Sequence, residues 1–168
     1  MVKYIKEDTQ VVFREIPDEI TLAINISNCQ HHCEGCHSPY LRENIGEELT
    51  TDVIDEMLKK NDGITCVCFM GEGNDPDTLK YLISHLRKKL DKSIAIGLYT
   101  GADDVTDEFY WENLDYIKIG HYDSKRGPIN NKNTNQRLYL GCSVCGNVAE
   151  VNGVKHFGWK DITDSFWK

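Results

Sequence analysis

The strongest constraint on the fold is an alternation of segment types through residues 20–120. Ile20 to Ser27 reads I-T-L-A-I-N-I-S, with apolar residues at every second position, the period of a strand. Thr50 to Asn61 predicts a helix, with Thr50 as cap and Val53, Ile54, Met57 and Leu58 on one face. Ile64 to Met70 is a short apolar run of buried-strand type, and Gly71 to Asp75 is a polar loop. Asp75 followed by Pro76 predicts a helix start, continued by Leu79, Leu82, Ile83, Leu86 and Leu90. Ser93 to Thr100 and Asp115 to Gly120 predict two further strands, with a weaker helix over Thr106 to Asn113 between them. His121 to Gln136 reads as a long loop, Arg137 to Leu140 as a short fifth strand and Asp161 to Trp167 as a last helical turn. Strands alternating with helices predict βαβ units and a mostly parallel sheet, whose sites form at the C-terminal strand ends. Three notable segments fall there: the cysteine-rich loop after the first strand, Gly71–Asp75, and Thr100–Gly101.

The chain's 168 residues suit a single domain, residues 1–168, large enough to bury a core without metal or disulfide staples. Any metal is then expected to serve chemistry. No apolar run approaches the roughly 20 residues of a membrane span, and the polar N-terminus lacks a signal-peptide core, so a cytoplasmic protein is expected. The net charge of −8 weighs against a nucleic-acid partner. Seven cysteines in a chain of this class read as metal ligands, redox groups or core residues.

The chemistry concentrates in Cys29-Gln-His-His-Cys33-Glu-Gly-Cys36-His37. Three thiolates on one short loop can converge on one iron–sulfur cluster. A four-iron cluster held by three cysteines keeps one iron open to an exogenous ligand, by the logic of an open catalytic metal site. The same three cysteines also suit zinc, with His31, His32 or His37 as a fourth ligand. A bacterial ferredoxin is disfavoured because the C-x2-C-x2-C-x3-C-P run is absent.

The C-x3-C-x2-C spacing resembles the signature of the radical S-adenosylmethionine (SAM) superfamily. Within it, Cys29 to Leu41 resembles the activating protein of anaerobic (class III) ribonucleotide reductase. Further likenesses follow in order: Phe69-Met-Gly-Glu-Gly-Asn-Asp-Pro76, Tyr99-Thr100-Gly101, Asp115-Tyr-Ile-Lys-Ile-Gly120 and Thr134-Asn-Gln-Arg137. Together they span roughly residues 10 to 140. Two departures stand out: Gly71-Glu72-Gly73 replaces the family's Gly-Gly-Asp/Glu, and Asn133 stands where a glycine is usual.

The resemblance implies a truncated, laterally open (β/α) radical SAM partial barrel with mostly parallel strands, a cluster loop at 29–36 and a C-terminal tail from about 141 to 168. It implies a 4Fe-4S cluster on Cys29, Cys33 and Cys36, with SAM met by His37, Gly71, Glu72, Gly73, Thr100 and Lys118. It implies a glycyl-radical activating oxidoreductase. Reduced SAM cleavage yields a 5′-deoxyadenosyl radical that takes hydrogen from a C-terminal glycine of the reductase's large subunit, with a flavodoxin-type electron donor. Other readings are an activator of a different glycyl-radical enzyme, or a zinc or iron–sulfur module without SAM cleavage.

Cys66 and Cys68 share one face of a strand and read as core residues. Cys142-Ser-Val-Cys145 is open between half a zinc site, a disulfide-forming pair and two idle thiols. Trp111, Trp159 and Trp167 read as core or interface residues. Arg137 is expected to anchor a backbone turn, and Asp123, Lys125 and Arg126 to form a solvated loop.

Overall fold

A computed structural model of the chain describes residues 1–168. The strands are β1 (Lys3–Tyr4), β2 (Gln10–Val12), β3 (Thr21–Asn25), β4 (Glu47–Glu48), β5 (Cys66–Met70), β6 (Ala95–Tyr99), β7 (Tyr116–Ile119), β8 (Arg137–Gly141), β9 (Val148–Val151), β10 (Val154–Phe157) and β11 (Trp159–Asp161). The α-helices are α1 (Thr51–Lys60), α2 (Pro76–Lys89) and α3 (Glu108–Asn113). Seven strands form one sheet in the order β11-β8-β7-β6-β5-β3-β2, with β1-β4 and β9-β10 as separate pairs.

The helices begin where the local chemistry directs. The Thr50 hydroxyl accepts a hydrogen bond from Val53 N–H at 3.3 Å, capping α1. Asp75 accepts from Thr78 N–H at 3.0 Å and from the Thr78 hydroxyl at 2.7 Å, and Pro76 opens α2. Each cap satisfies a backbone donor that the first turn leaves free.

Strands β3, β5, β6 and β7 run parallel, each step across the sheet carrying one helix, and all three helices pack on the same face. Leu22, Ile24, Val67, Phe69, Ile96, Leu98, Ile117 and Ile119 meet Ile54, Leu79, Ile83, Leu86 and Trp111 in a core of 26 buried residues. The opposite face has a smaller core of Ile16, Cys66, Cys68, Tyr116 and Leu138, covered by Ile129, Ile162 and Phe166. The core reading of Cys66 and Cys68 therefore holds. Both thiols are fully buried, and burial pushes Cys66 up to about 12.

The expected truncated, laterally open (β/α) partial barrel with mostly parallel strands is not the architecture found. Three of the six pairings in the large sheet are antiparallel, joining β2 to β3, β8 to β7 and β11 to β8. With β1-β4 and β9-β10, five of the molecule's eight pairings are antiparallel. The protein is a small mixed α/β fold with three α-helices and an open sheet ending at β2 and β11. The cause lies in the connections. A parallel step needs a crossover element, whereas an antiparallel step needs only a turn-back. Residues 120–136 contain no helix, so the chain returns along β7 as β8. Residues 142–158 likewise fold into the β9–β10 hairpin and return as β11. No helix is long and apolar enough to cross a membrane.

Candidate functional site

The cysteine loop leaves the C-terminal end of β3, beside the ends of the other parallel strands. Asn28 N–H donates to Glu43 O at 3.0 Å and Cys29 N–H to Leu41 O at 2.9 Å, tying the loop's start to its return. Within it, Cys36 N–H donates to Cys33 O at 3.3 Å around Gly35, whose φ of +73° is a left-handed conformation that glycine adopts without strain. Arg42 Nη2 donates to Cys33 O at 2.5 Å and holds the middle cysteine's backbone in place.

Cys29, Cys33 and Cys36 are free and half-buried. All three line one cavity of about 170 Å³, together with His31, Arg42 and Lys118. No three His, Cys, Asp or Glu side chains in the chain are gathered tightly enough to grip a single ion. The thiols instead stand around a shared space. Burial pushes the Cys29 thiol up, reinforced by Cys33, Cys36 and Glu72 and partly offset by a hydrogen bond with the His31 backbone. The Arg42 Nε–H is buried without a partner, so an unsatisfied cationic donor stands among the residues around the thiols.

This cavity adjoins a larger one of about 550 Å³, and Cys36, Met70, Lys118, Tyr122 and Gln136 line both. Asn25, Met70, Tyr99 and Lys118 form one register row across β3, β5, β6 and β7 on the face without helices, and all four line the larger cavity. Its volume is in the range of small-molecule and cofactor sites.

The six residues expected to meet SAM are not brought to one place. His37 lies on the wall of the larger cavity beside Cys36, its ring 5.1 Å from that of Tyr122. Lys118 borders both cavities and Gly71 the cysteine cavity. Glu72 and Gly73 line a third cavity, of about 380 Å³, with Gln30 and Tyr110. Thr100 is buried and lines none of these three. Its hydroxyl accepts from Ala102 N–H at 2.9 Å and its N–H donates to Lys118 O at 2.8 Å, so it braces two strand ends.

Glu72 has a definite partner, since its carboxylate meets His31 Nε2 at 3.1 Å. His31 in turn lies so close over Gly101 that a Cβ there would stand 2.7 Å from its ring. Only glycine admits this approach, which links Thr100–Gly101 to the cysteine loop.

Lys118 is buried and has no acidic partner. Its Nζ donates to Gly120 O at 2.8 Å and sits 5.8 Å over the Tyr99 ring. Burial pulls its ammonium down to about 8, against the opposing pull of Cys33 and Asp103.

Arg42, Tyr122 and Gln136 also border the cysteine cavity, and the motifs alone did not single them out. Gln136 lies within the Thr134–Arg137 likeness, and Arg42 follows the cluster loop closely. Tyr122 belongs to the stretch read as plain loop. Arg137 anchors a turn as expected, donating to Thr134 O at 3.3 Å and Gln136 O at 3.0 Å. Trp111 and Trp159 are core residues. Comparisons with family models, with curated proteins and with solved structures found no match to this chain.

Proposed function

We propose that the chain is a radical SAM oxidoreductase of the cytoplasm that activates a glycyl-radical enzyme, its substrate a C-terminal glycine of the large subunit of an anaerobic ribonucleotide reductase. The observation that carries the reading is that Cys29, Cys33 and Cys36, at C-x3-C-x2-C spacing, are free thiols around one cavity that borders a larger one.

The residues fit a 4Fe-4S cluster on two counts. The donor set is three thiols around a space, one short of the four that would saturate the irons. The surroundings include the unpartnered Arg42 Nε–H and the buried Lys118, which suit an anionic group. Cys29, Cys33 and Cys36 would hold the cluster. Bound with SAM and given an electron by a flavodoxin-type donor, it would supply the 5′-deoxyadenosyl radical for hydrogen abstraction.

The chain's own residues do the positioning. Arg42 fixes the Cys33 backbone, and Gly101 admits His31, which Glu72 orients. His37 and Lys118 would meet SAM from the larger cavity, and Gly71 from the cysteine cavity. Glu72 holds His31, and Thr100 braces the strand end that carries Lys118.

The test is anaerobic reconstitution with iron and sulfide, reduction, addition of SAM and quantitation of 5′-deoxyadenosine. Wild type is expected to cleave SAM and Cys33→Ala to lose cleavage by at least a hundredfold. Adding the reductase should then give a glycyl-radical resonance. A full iron complement with no SAM cleavage would overturn the reading. Zinc retained in place of iron would leave a metal-binding module.

A further inference from the structure

The pair Cys142 and Cys145 lies at the opposite end of the sheet from the cysteine cavity. Gly141 N–H donates to Asp115 O at 2.8 Å, at the N-terminal end of β7. The two sulfurs are bonded to each other, with Cα atoms 5.5 Å apart, an ordinary separation for a disulfide. We infer that Cys142 and Cys145 form a reversible dithiol–disulfide site that exchanges with an external thiol, a redox centre separate from the three-cysteine loop and independent of the function proposed for it.

The first argument is that this bond is a poor staple. A disulfide stabilises more the longer the loop it closes, and this one encloses only Ser143 and Val144. The segment is held without it. Cys142 N–H donates to Gly158 O at 2.5 Å, Gly158 N–H donates to Asn147 O at 2.8 Å, and β11 pairs with β8. Trp159 packs against Gly141 so closely that an added Cβ would stand 3.2 Å from its ring.

The second argument is access, and it is asymmetric. Cys145 is exposed at the turn, beside Val144, which is 92% exposed. Cys142 is half-buried and lines a cavity of about 480 Å³ whose wall balances Arg87 and Lys92 with Glu112 and Asp115. An incoming thiolate therefore reaches the sulfur of Cys145. The S–S bond breaks, Cys142 leaves as the thiolate into that cavity, and a mixed disulfide forms on Cys145. A second thiol of the reductant then attacks its own sulfur in that mixed disulfide and releases Cys145. The balance is two electrons and two protons taken up by the pair, and a dithiol oxidised to its disulfide.

The third argument is isolation. Cys66 and Cys68 are fully buried within β5, and Cys29, Cys33 and Cys36 lie across the sheet, so no other thiol of the chain intercepts the exchange.

The experiment uses the full chain, natively folded, in glutathione buffers of graded poise. Quenching by alkylation and peptide mapping then reads the state of Cys142 and Cys145. Trp111 and Trp159 border the same cavity, so tryptophan emission reports the change in real time. The expected result is complete, reversible interconversion of the pair in one two-electron step, with emission rising on reduction. The signal should be absent in Cys145→Ser and retained when Cys29, Cys33 and Cys36 are all serine. A parallel arm with a Cys-x-x-Cys protein dithiol assigns the source. Reduction faster than by glutathione at equal thiol concentration marks a protein partner, and an equal rate marks small thiols. A pair that is reduced only after the chain unfolds, that stays as free thiols in every buffer, or that bridges two chains through zinc in native mass measurement would overturn the inference.

Discussion

Lys118 carries the site's clearest electrostatic conflict. It is buried on the face without helices, solvated only by the carbonyls of Gly120 and Thr100, with no carboxylate beside it. Burial lowers its proton affinity from the usual 10.5 to about 8. The sign for stability follows. Below pH 8 both folded and unfolded chains hold the proton, and the penalty for burying the charge is fully present. Between pH 8 and 10.5 the unfolded chain keeps a proton that the folded chain has released, so unfolding free energy rises with pH. The full difference is on the order of 3 kcal/mol. Denaturant titrations of cluster-free protein under reductant should show this gain in wild type relative to Lys118→Met between pH 7.5 and 10.5. The unequal hydrogen bonding of the two side chains gives a constant offset, which leaves the slope intact. A difference that stays flat with pH would mean that water reaches Lys118 and the burial is not felt. The same residue shows what motifs convey. Asp115–Gly120 placed Lys118 at a strand end, but its shared row with Asn25, Met70 and Tyr99 arises from register between strands far apart in sequence. Tyr122 and Gln136 likewise reach the cavity through the long return loop, which has no local period to read.

The elements that were legible carry a strong local signal. Both α1 and α2 begin at a capping side chain and hold an apolar face, and the observed helices start at the residues after Thr50 and Asp75. The parallel strands β3, β5, β6 and β7 are apolar runs buried on both faces, and they fall within the expected segments. What escaped notice was short or half-polar: β1, β2, β4 and the run from β9 to β11. Val148, Val154 and Phe157 are apolar yet exposed while His156 is buried, so apolar positions in the β9–β10 hairpin do not track its buried face. The Asp75 cap gives a check at this scale. Its carboxylate takes two hydrogen bonds from Thr78 and also meets the N-terminal amine. Asp75→Ala should cost about 1 kcal/mol, a typical loss for a capping side chain, and lower the melting temperature by roughly 2–4 °C for a chain of this size. Asp75→Asn, which keeps the acceptor, should recover most of the loss. Melting curves of the three proteins decide it. An Asn variant as weak as Ala would assign the effect to charge at the N-terminus instead.

At the scale of the molecule, the hydrophobic cores and the cysteine loop are separate. The main core of 26 buried residues lies between the sheet and its helices, and the second core is on the other face between the strands and the C-terminal turn. None of the three loop cysteines belongs to either. The loop is tied by backbone bonds from Asn28 and Cys29 to residues 41–43, and by Arg42 to Cys33, and these do not depend on a metal. A structural zinc site behaves differently, because there metal binding is itself the folding energy. The protein stripped of metal should therefore keep its far-ultraviolet dichroism and melt in one cooperative transition. The variant with serine at 29, 33 and 36 should melt within a few degrees of it. Cluster loading should raise the wild-type transition by mass action alone, to an extent set by affinity, with no gain in the serine variant. Because thiolates bind the metal and burial raises the Cys29 thiol, loading should weaken as pH falls, with proton release on binding. Loss of cooperativity on chelation would place the cysteine loop inside the folding unit and make the metal structural. A cooperative metal-free transition would leave the loop as a site carried by a fold that stands without it.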